Sequence, residues 1–427
     1  MPDRGSAPLK RLLILGNSAA ALSAARAIRA RGGEQLITMV SREECSAYSP
    51  VLTTYYLRGK IPEHGLYICD IGSYRDLGIT CHFGRAAVEL DADAQRVTLD
   101  DGTGLDYDAL LIATGASAKR LGGLDPEIAQ EVCYLRTIED ARRIHEAAAR
   151  AEHVVVFGAG LVSLQVASAV ARSDLKVTCV VASGQILSQN VDADCAALLQ
   201  EHVERSADIR FLFGTNVTGI ARADGGYRVL LDSGQELLAD LLVAGKGVSP
   251  NVEFIDCSQI AVEAGVIVDD HLCTNVENVY AAGDLAQGRN RVSGASELVP
   301  NWINACKQGH VAGANMAGAD LTFPGAVAEN VTTLFGISVV SIGISRIREE
   351  DAGLCETTYH DEGRGVYRRL ILRGETMVGA VLLRDIEDAG VLRNAVVAGS
   401  RPWFSPAAVA RGRVNQAQRL RACIHRI

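Results

Sequence analysis

The sequence lacks the long apolar runs that mark membrane-spanning and secreted proteins. Its apolar runs, such as Leu12–Leu15 and Val154–Phe157, fall far short of the about 20 residues that a membrane-spanning helix requires. Residues Met1–Arg11 are polar and of mixed charge, with no long apolar segment behind them. We therefore expect no transmembrane segment, no signal peptide and a cytoplasmic protein.

Positive charge is also in short supply. The chain has 42 Lys and Arg against 51 Asp and Glu, a net charge of −9. Nucleic-acid-binding proteins use Lys and Arg to displace counterions from phosphates, so this composition argues against a nucleic-acid partner. A length of 427 residues with 48% hydrophobic residues is sufficient for two or three domains with cores of their own.

Cysteine pairs with short spacing are absent. The eleven cysteines are an odd number, and no two of them form a C-x-x-C pair. Scattered thiols of this kind are typical of reduced core residues in a cytosolic protein. The spacing also excludes an iron–sulfur cluster held by a compact motif in this chain, so we expect no metal site here and place any such centre on a partner.

Two strand–turn–helix openings organise the chain. The runs Leu12–Leu15 and Val154–Phe157 each end at a glycine and precede an Ala-rich helical stretch. Another apolar run follows each helix, at Leu36–Val40 and at Lys176–Val181. Each opening is therefore typical of a βαβ unit, which predicts two parallel sheets covered by helices.

The rest of the chain supplies connecting and C-terminal elements. Strands are predicted over 96–99 and 110–113, and a charged helix over 138–151 links the domains. From about Val327 the pattern changes to alternating runs with Gly-containing turns, at 339–344, 367–372 and 377–383. This predicts a smaller α+β domain. The tail from Arg401 has six Arg and no acid, which favours a solvated helix or frayed end over a docking surface for an acidic partner.

The first turn keeps only the first glycine of the G-x-G-x-x-G fingerprint. It reads GNSAAA over residues 16–21. Gly16 makes the tight turn, while the small Ser18 and Ala21 leave room for a pyrophosphate at the helix N-terminus and for helix-on-strand packing. The acid expected after the second strand, which binds a ribose hydroxyl, is Glu43 or Glu44.

Three further segments make the pattern specific. They read YDALLIATG over 107–115, DLLVAGKGVSPN over 240–251 and NVYAAGD over 278–284. With these segments in this order, the chain resembles the FAD-dependent pyridine nucleotide-disulfide oxidoreductase superfamily over nearly all of its length. The resemblance implies that Asp284 accepts a hydrogen bond from the ribityl chain of FAD and that Gly283 admits the pyrophosphate. Without it, Asp284 would be simply a polar residue at a strand end.

A helix is predicted to begin near Pro300 and to include Trp302. In related flavoproteins the N-terminus of this helix points at the isoalloxazine, where a positive helix end stabilises negative charge on the reduced flavin. The alternative is a buried amphipathic helix with Trp302 in the core. Both interpretations can hold together.

The run AYSPVLTTYYL over 47–57 resembles the helix over the flavin in nitrite reductase flavin domains, rubredoxin reductases and coenzyme A disulfide reductases. Disulfide reductases need a redox-active thiol there, because the thiolate must attack within contact distance. The corresponding position is Val51, whereas Cys45 lies earlier and is expected to be structural. His425 also lacks the Glu that pairs with a C-terminal His in related disulfide reductases. Thiol chemistry is therefore not expected.

The second turn, GAGLVS over 158–163, resembles the NAD(P) site of the family. Three positions depart from the usual pattern. Ser163 occupies the third glycine position, Gln165 replaces a Glu, and Val181 replaces the acid that binds the adenosine ribose. Loss of one charge-assisted hydrogen bond costs about 1.5–3 kcal/mol. We expect NAD(P) to bind at this degenerate site, with an empty Rossmann scaffold as the alternative.

The resemblance implies a full set of cofactor contacts, with no catalytic side chain and no metal. The set comprises Gly16, Ser18, Ala19, Glu43, Ser49, Pro50, Val88, Ala113, Thr114, Gly115, Gly158, Gly160, Gln165, Gly247, Gly283, Asp284 and Trp302.

The predicted fold class is α/β, with two Rossmann-like dinucleotide-binding domains of the glutathione reductase-like type and a C-terminal α+β domain. The expected FAD-binding domain is 1–118 with 248–321, the NAD(P)-binding-type domain is 119–247, and the C-terminal interface domain is 322–427. Residues 330–336 and the hairpin 370–383 resemble the nitrite reductase and rubredoxin reductase group. Residues 16–20 and 48–50 resemble flavin subunits such as those of phenylglyoxylate dehydrogenase and tungsten aldehyde oxidoreductase.

The function implied is an FAD-dependent oxidoreductase, an electron-transfer flavin subunit between NAD(P)H and an iron–sulfur partner protein or subunit. Two alternatives stay open at this point. One is a free-standing NAD(P)H reductase of the rubredoxin or ferredoxin type, and the other is a non-catalytic scaffold with degenerate nucleotide sites. A homodimer and a hetero-oligomer are both compatible with the sequence.

Overall fold

The structure is a computed structural model that describes residues 10–223, 225–348, 351–399 and 410–411. His425 and all of the basic tail except Ala410 and Arg411 therefore lie outside the described residues. Within the described part, the chain divides into two compact units. The first takes in the residues up to Val51, Pro62–Ser117 and Ser249–Ala326, and the second takes in Leu52–Ile61, Ala118–Val248 and the residues from Val327 onward.

Several helices begin with a side-chain cap. Thr137 and Asp140 form a reciprocal capping box at one helix, and Asp192 accepts two backbone N–H groups at another. The helices of the described residues are α1 (Ala19–Ala30), α2 (Thr53–Leu57), α3 (Ile71–Asp76), α4 (Pro126–Glu131), α5 (Ile138–Ala148), α6 (Leu161–Val170), α7 (Ala193–Ser206), α8 (Trp302–Met316) and α9 (Ala389–Ala398).

The strands are short and rich in aliphatic residues. Before α6 they are β1 (Arg11–Leu15), β2 (Leu36–Ser41), β3 (Ile79–Phe83), β4 (Ala87–Asp91), β5 (Arg96–Leu99), β6 (Gly104–Asp106), β7 (Ala109–Ile112), β8 (Ala116–Ala118) and β9 (His153–Phe157). Between α6 and α8 they are β10 (Lys176–Val181), β11 (Ile209–Phe213), β12 (Val217–Ala223), β13 (Gly226–Leu231), β14 (Glu236–Ala239), β15 (Leu241–Ala244), β16 (Val248–Pro250), β17 (Val266–Ile267), β18 (Val279–Ala281), β19 (Ala286–Arg289) and β20 (Ser296–Leu298). After α8 they are β21 (Glu329–Leu334), β22 (Ile337–Gly343), β23 (Leu354–Asp361), β24 (Val366–Arg373) and β25 (Thr376–Leu383).

A five-stranded parallel sheet in the order β18-β7-β1-β2-β3 forms the centre of the first unit. Leu12–Leu15 and Ala109–Ile112 are buried along their whole length, as expected for a parallel sheet covered on both faces. Helices α1 and α8 pack against each other at short range. A β carbon on Gly313 would lie 2.4 Å from the carbonyl oxygen of Ala24, so only glycine permits this approach.

The second unit contains another parallel sheet, of four strands in the order β11-β10-β9-β15. It also contains the antiparallel sheet β12-β13-β14 and, after Val327, the antiparallel sheet β21-β22-β25-β24-β23. The predicted fold class, with two Rossmann-like halves and a C-terminal α+β part, is confirmed.

The predicted helix over 47–57 is wrong in its first half. Residues 47–49 are extended because their backbones pair with a neighbouring segment: Ser49 N donates to Leu66 O over 2.9 Å and Ile68 N to Ala47 O over 2.9 Å. A 3-10 turn over Pro50–Leu52 follows, and α2 begins only at Thr53. This short helix packs against α5 and α6 and belongs to the second unit.

Candidate dinucleotide sites

The first candidate site lies at the carboxyl edge of the five-stranded sheet. Predicted site residues follow four neighbouring strands at the ends where those strands stop: Gly283 after β18, Ala113 after β7, Gly16 after β1 and Glu43 after β2. Ligands of open parallel sheets bind outside the carboxyl ends of the strands. Segments separated by up to 267 positions in the sequence therefore meet at one edge.

Gly16 is required by the geometry of the first turn. Its φ is +127°, and a β carbon there would lie 2.1 Å from the carbonyl oxygen of Ala113. Its amide donates to the carbonyl of Val40 over 2.8 Å. The turn therefore packs directly against the end of β7. The start of α1 thus lies at the carboxyl edge of the sheet.

The N-terminus of α1 is not capped by the chain's own side chain. Ser18 is the N-cap residue, yet its hydroxyl makes no capping hydrogen bond, and the first turn has no acidic residue. Ala19 and Ala21 are buried and small. The first-turn N–H groups and the positive helix end are thus suited to an anion such as a pyrophosphate.

Gly283 connects the sheet edge to α8. Its amide donates to Gln308 Oε1 over 2.9 Å, so this N–H is bound by the chain itself. Its φ is +91°, and a β carbon would lie 3.5 Å from Cβ of Ala20. The next residue, Asp284, is half-buried. Gln308 is a contact that the sequence pattern did not single out.

The first turn of α8 carries Trp302. Asn301 caps the helix by accepting a hydrogen bond from Asn304 N over 2.8 Å. Trp302 is half-buried and packs against the apolar core of the first unit. Part of the Trp302 side chain therefore belongs to the core, and the rest of its surface is accessible.

Asn251 fixes the segment Ala113–Gly115, which follows β7. Its side-chain amide donates to the carbonyl of Thr114 over 2.8 Å, and Thr114 Oγ1 donates back to the carbonyl of Asn251 over 2.8 Å. Asn251 N also donates to Gly115 O over 3.0 Å. The hydroxyl of Thr114, which was predicted as a cofactor contact, is thus bound to the backbone of Asn251.

Four other predicted residues have different surroundings. The Tyr48 hydroxyl donates to Glu43 Oε2 over 2.7 Å, so this carboxylate already has a partner in the chain. Ser49 is buried and Pro50 half-buried, at the start of the 3-10 turn. Val88 lies on β4, in a separate three-stranded sheet, and is 52% exposed.

The second candidate site lies at the carboxyl end of β9. Gly158 has a φ of +110°, and a β carbon there would lie 2.7 Å from Gly245 O. Gly160 is the N-cap residue of α6, and its β carbon would have no described atom within 4 Å. Ser163, in the third glycine position, is buried and donates to Gly245 O over 3.2 Å. The turn therefore leaves an open cradle beside Gly160.

The residues that depart from the G-x-G-x-x-G pattern at this second site pack against or bind other parts of the second unit. Gln165 Nε2 donates to Thr332 Oγ1 over 3.0 Å, so this side chain binds β21. Val181 is 2% exposed and belongs to the apolar core of the second unit. Gly247 has a φ of +90° with no described atom within 4 Å of its would-be β carbon.

Two thiols of the described residues have pKa values well above neutral pH. Val51, at the position that a disulfide reductase would fill with its redox thiol, is 56% exposed. Burial raises the pKa of Cys81 to about 11 and that of Cys179 to about 12, so both remain thiols near neutral pH. Across residues 10–223, 225–348, 351–399 and 410–411, no cluster of His, Cys, Asp and Glu could hold a metal ion. No helix of this described part is both long and apolar enough to cross a membrane.

Both sites fit a dinucleotide. Each combines a parallel strand, a turn through a positive-φ glycine and a helix N-terminus without an acidic residue in its first turn. Such a site holds a pyrophosphate through backbone N–H groups.

The sequence matches the pyridine nucleotide-disulphide oxidoreductase family over residues 10–309 and the rubredoxin NAD+ reductase C-terminal domain over residues 330–399. It is 32% identical over 392 residues to subunit epsilon of the NADH-dependent phenylglyoxylate dehydrogenase of Aromatoleum evansii, which covers 90% of this chain and 91% of that one. Identity to the rubredoxin-NAD(+) reductase of Ectopseudomonas oleovorans is 31% over 315 residues, or 73% of this chain and 81% of that one. The crystal structure of a ferredoxin reductase from Rhodopseudomonas palustris shares the fold, with a TM-score of 0.85 and 23% identity over 97% of this chain and 99% of that one.

Proposed function

Since the chain belongs to the pyridine nucleotide-disulphide oxidoreductase family, we propose that it is an FAD-dependent electron-transfer subunit that accepts electrons from NADH or NADPH and passes them to an iron–sulfur partner. One observation carries this proposal. Each of two separate parallel sheets ends in a glycine turn and an uncapped helix N-terminus, which suits a protein that binds two dinucleotides.

The first unit would hold FAD. Bound FAD supplies the exchange between a two-electron hydride and single electrons. The turn from Gly16 to Ala19 would hold the pyrophosphate through backbone N–H groups of α1. Asp284 would accept from the ribityl chain, and the N-terminus of α8 at Trp302 would stabilise negative charge on the reduced ring.

The second unit would hold the pyridine nucleotide. The open cradle beside Gly160 provides room for a pyrophosphate against α6. Because the end of β10 carries the buried Val181 where the family has an acid, this unit lacks a charge-assisted bond to the adenosine ribose. We therefore expect binding to be weak, since such a bond contributes about 1.5–3 kcal/mol.

The acceptor would be a separate redox protein. Among the described residues, the position where a disulfide reductase carries its thiol holds Val51, in the 3-10 turn over Pro50–Leu52, and Cys45 lies earlier in the chain. The similar proteins include a rubredoxin reductase and a subunit of phenylglyoxylate dehydrogenase. An iron–sulfur centre on a partner fits both.

Two versions of this function are distinguishable. Similarity to a subunit over 90% of the chain favours a component of a larger enzyme. Similarity to a rubredoxin reductase favours a free-standing enzyme as the second candidate. Purification from the native source with identification of co-purifying subunits tests the first, and NADH-dependent reduction of added rubredoxin or ferredoxin by the isolated chain tests the second.

The core of the proposal is tested on the isolated protein. It should purify with FAD, and the flavin absorbance should bleach when NADH or NADPH is added without oxygen. Reoxidation of the bleached flavin by an iron–sulfur protein would support the acceptor half. A protein that binds no FAD, or whose flavin neither nucleotide reduces, would contradict the proposal.

A further inference from the structure

We propose that Tyr74 is a positioning residue for the flavin pyrophosphate, acting through Asn17 in the first dinucleotide turn. This rests on the proposed function, because it concerns the FAD site of the first unit. Neither residue belongs to the contact set implied by the resemblance, and Tyr74 lies on α3, outside the βαβ unit itself.

The hydroxyl of Tyr74 takes part in three hydrogen bonds. One is accepted from the nearby Cys69 Sγ over 3.4 Å, and the other two join separate segments. It donates to Asn17 Oδ1 over 2.7 Å. It accepts from the backbone amide of Ala47 over 2.9 Å. The Asn17 amide then donates to the carbonyl of Cys45 over 3.2 Å. A single hydroxyl therefore holds both the turn at Asn17 and the segment that leads to Pro50.

The surroundings of Tyr74 make this arrangement rigid. Its side chain is 2% exposed, and its ring meets that of Phe83 edge to face with 5.2 Å between centroids. Asp70 caps α3 by accepting from Ser73 N over 2.9 Å. Burial raises the pKa of Tyr74, so the hydroxyl stays protonated and keeps its donor role.

The position of Asn17 explains why such a contact bears on the cofactor. Asn17 stands between Gly16, which makes the tight turn, and Ser18, the N-cap residue of α1. The fingerprint's second glycine is missing here, so backbone freedom alone does not shape the turn. The bond from Tyr74 fixes the side chain between these two residues and thus the direction of the first N–H groups of α1.

Tyr74→Phe tests this role with a matched control. The variant keeps the buried ring and removes the hydroxyl that binds Ala47 N–H, Asn17 Oδ1 and the Cys69 thiol. Tyr107→Phe is the control, because Tyr107 is equally buried and its hydroxyl has no hydrogen-bond partner among the described residues. Tyr107 also precedes β7, at the opposite end of the strand from the site.

The measurement is the dissociation constant of FAD from apoprotein, obtained by titration. We expect Tyr74→Phe to raise it about tenfold, the size expected for a lost buried hydrogen bond, and Tyr107→Phe to leave it within about twofold. The visible circular dichroism of bound flavin should change only in Tyr74→Phe.

Asn17→Ala separates positioning from general loosening of the fold. In this background Tyr74→Phe should weaken FAD binding no further, because the partner in the turn is already gone. If Tyr74→Phe does not fold, Asn17→Ala alone must show the raised dissociation constant, since Asn17 is only half-buried. Normal FAD affinity in the folded variants, or additive effects of the two changes, would overturn the positioning role. A wild-type chain that binds no FAD would instead overturn the proposed function.

Discussion

Gly309 on α8 lies against the backbone of Ala20 on α1, so close that a β carbon at Gly309 would be 2.1 Å from the Ala20 carbonyl oxygen. Ala20 lies in the first turn of α1, beside the glycine turn of the first unit. The close packing of α1 and α8 thus fixes the helix end that we propose to face the FAD pyrophosphate.

Gly309→Ala should separate these helices. A methyl group cannot lie 2.1 Å from a backbone atom, so the backbone must shift, at a cost of about 1–3 kcal/mol or more. We expect a lower unfolding midpoint in urea and a lower ratio of FAD to protein after gel filtration. Gly390→Ala on α9 is the control, because its new methyl group meets no described atom within 4 Å. Equal behaviour of the two variants would contradict the close-packing account.

Gly160→Val should impair use of the pyridine nucleotide without unfolding the protein. Its backbone φ of −77° suits any residue, and the cradle around it is open. We expect normal FAD content and a rate of flavin reduction by NADH at least about tenfold lower, since the side chain fills the space for the pyrophosphate.

Gly122→Val is the matched control for that experiment. Gly122 is exposed, lies in a loop of the same unit and has no described atom within 4 Å of its would-be β carbon. Flavin reduction should stay at the wild-type rate in this variant. Unimpaired reduction in Gly160→Val would mean that the second turn does not bind the nucleotide.

Modification of thiols should leave flavin reduction intact. Cys257 and Cys355 are exposed and should react with iodoacetamide near pH 8, whereas Cys179 is buried with a pKa of about 12 and should not. Mass spectrometry identifies the modified residues. Cys45→Ser should likewise keep the NADH reaction, because Cys45 contacts Asn17 through its backbone carbonyl. Loss of flavin reduction in the modified protein or in Cys45→Ser would indicate that a thiol takes part in the reaction.

Asp388→Asn should destabilise the C-terminal sheet. Arg368 and Asp388 are both buried, and Arg368 donates from its guanidinium to Asp388 Oδ2 over 2.8 Å. Disrupting a buried pair costs about 3–5 kcal/mol. Hydrogen exchange along β24 should become faster. Glu139→Gln is the control, because it removes the exposed ion pair with Arg142. It should lower the free energy of unfolding by less than about 1 kcal/mol. An equal loss of stability in the two variants would contradict this account.

The sequence was sufficient to predict the two parallel sheets and to bring the residues of the first candidate site to one edge. Aliphatic runs that end in glycine specify buried parallel strands, and parallel strands bring Gly16, Ala113 and Gly283 to one edge. The individual side-chain partners could not be predicted in this way. Gln165 binds Thr332, 167 positions away, and only tertiary packing determines such a pair.

The residue at which α2 begins could also not be predicted from the local sequence. The pairing of Ala47 and Ser49 with residues 66–68 keeps that segment extended, although its composition is compatible with a helix. Tyr74 escaped notice for the same reason, because its partner Asn17 lies 57 positions earlier.

The most direct test of the central claim is stopped-flow reduction of the purified flavoprotein by NADH and NADPH without oxygen. We expect the bound flavin to be fully reduced by at least one of the two nucleotides, with one equivalent consumed per flavin, and then to be reoxidised by an iron–sulfur protein. A flavin that stays oxidised with both nucleotides would contradict the claim that this chain accepts electrons from a pyridine nucleotide.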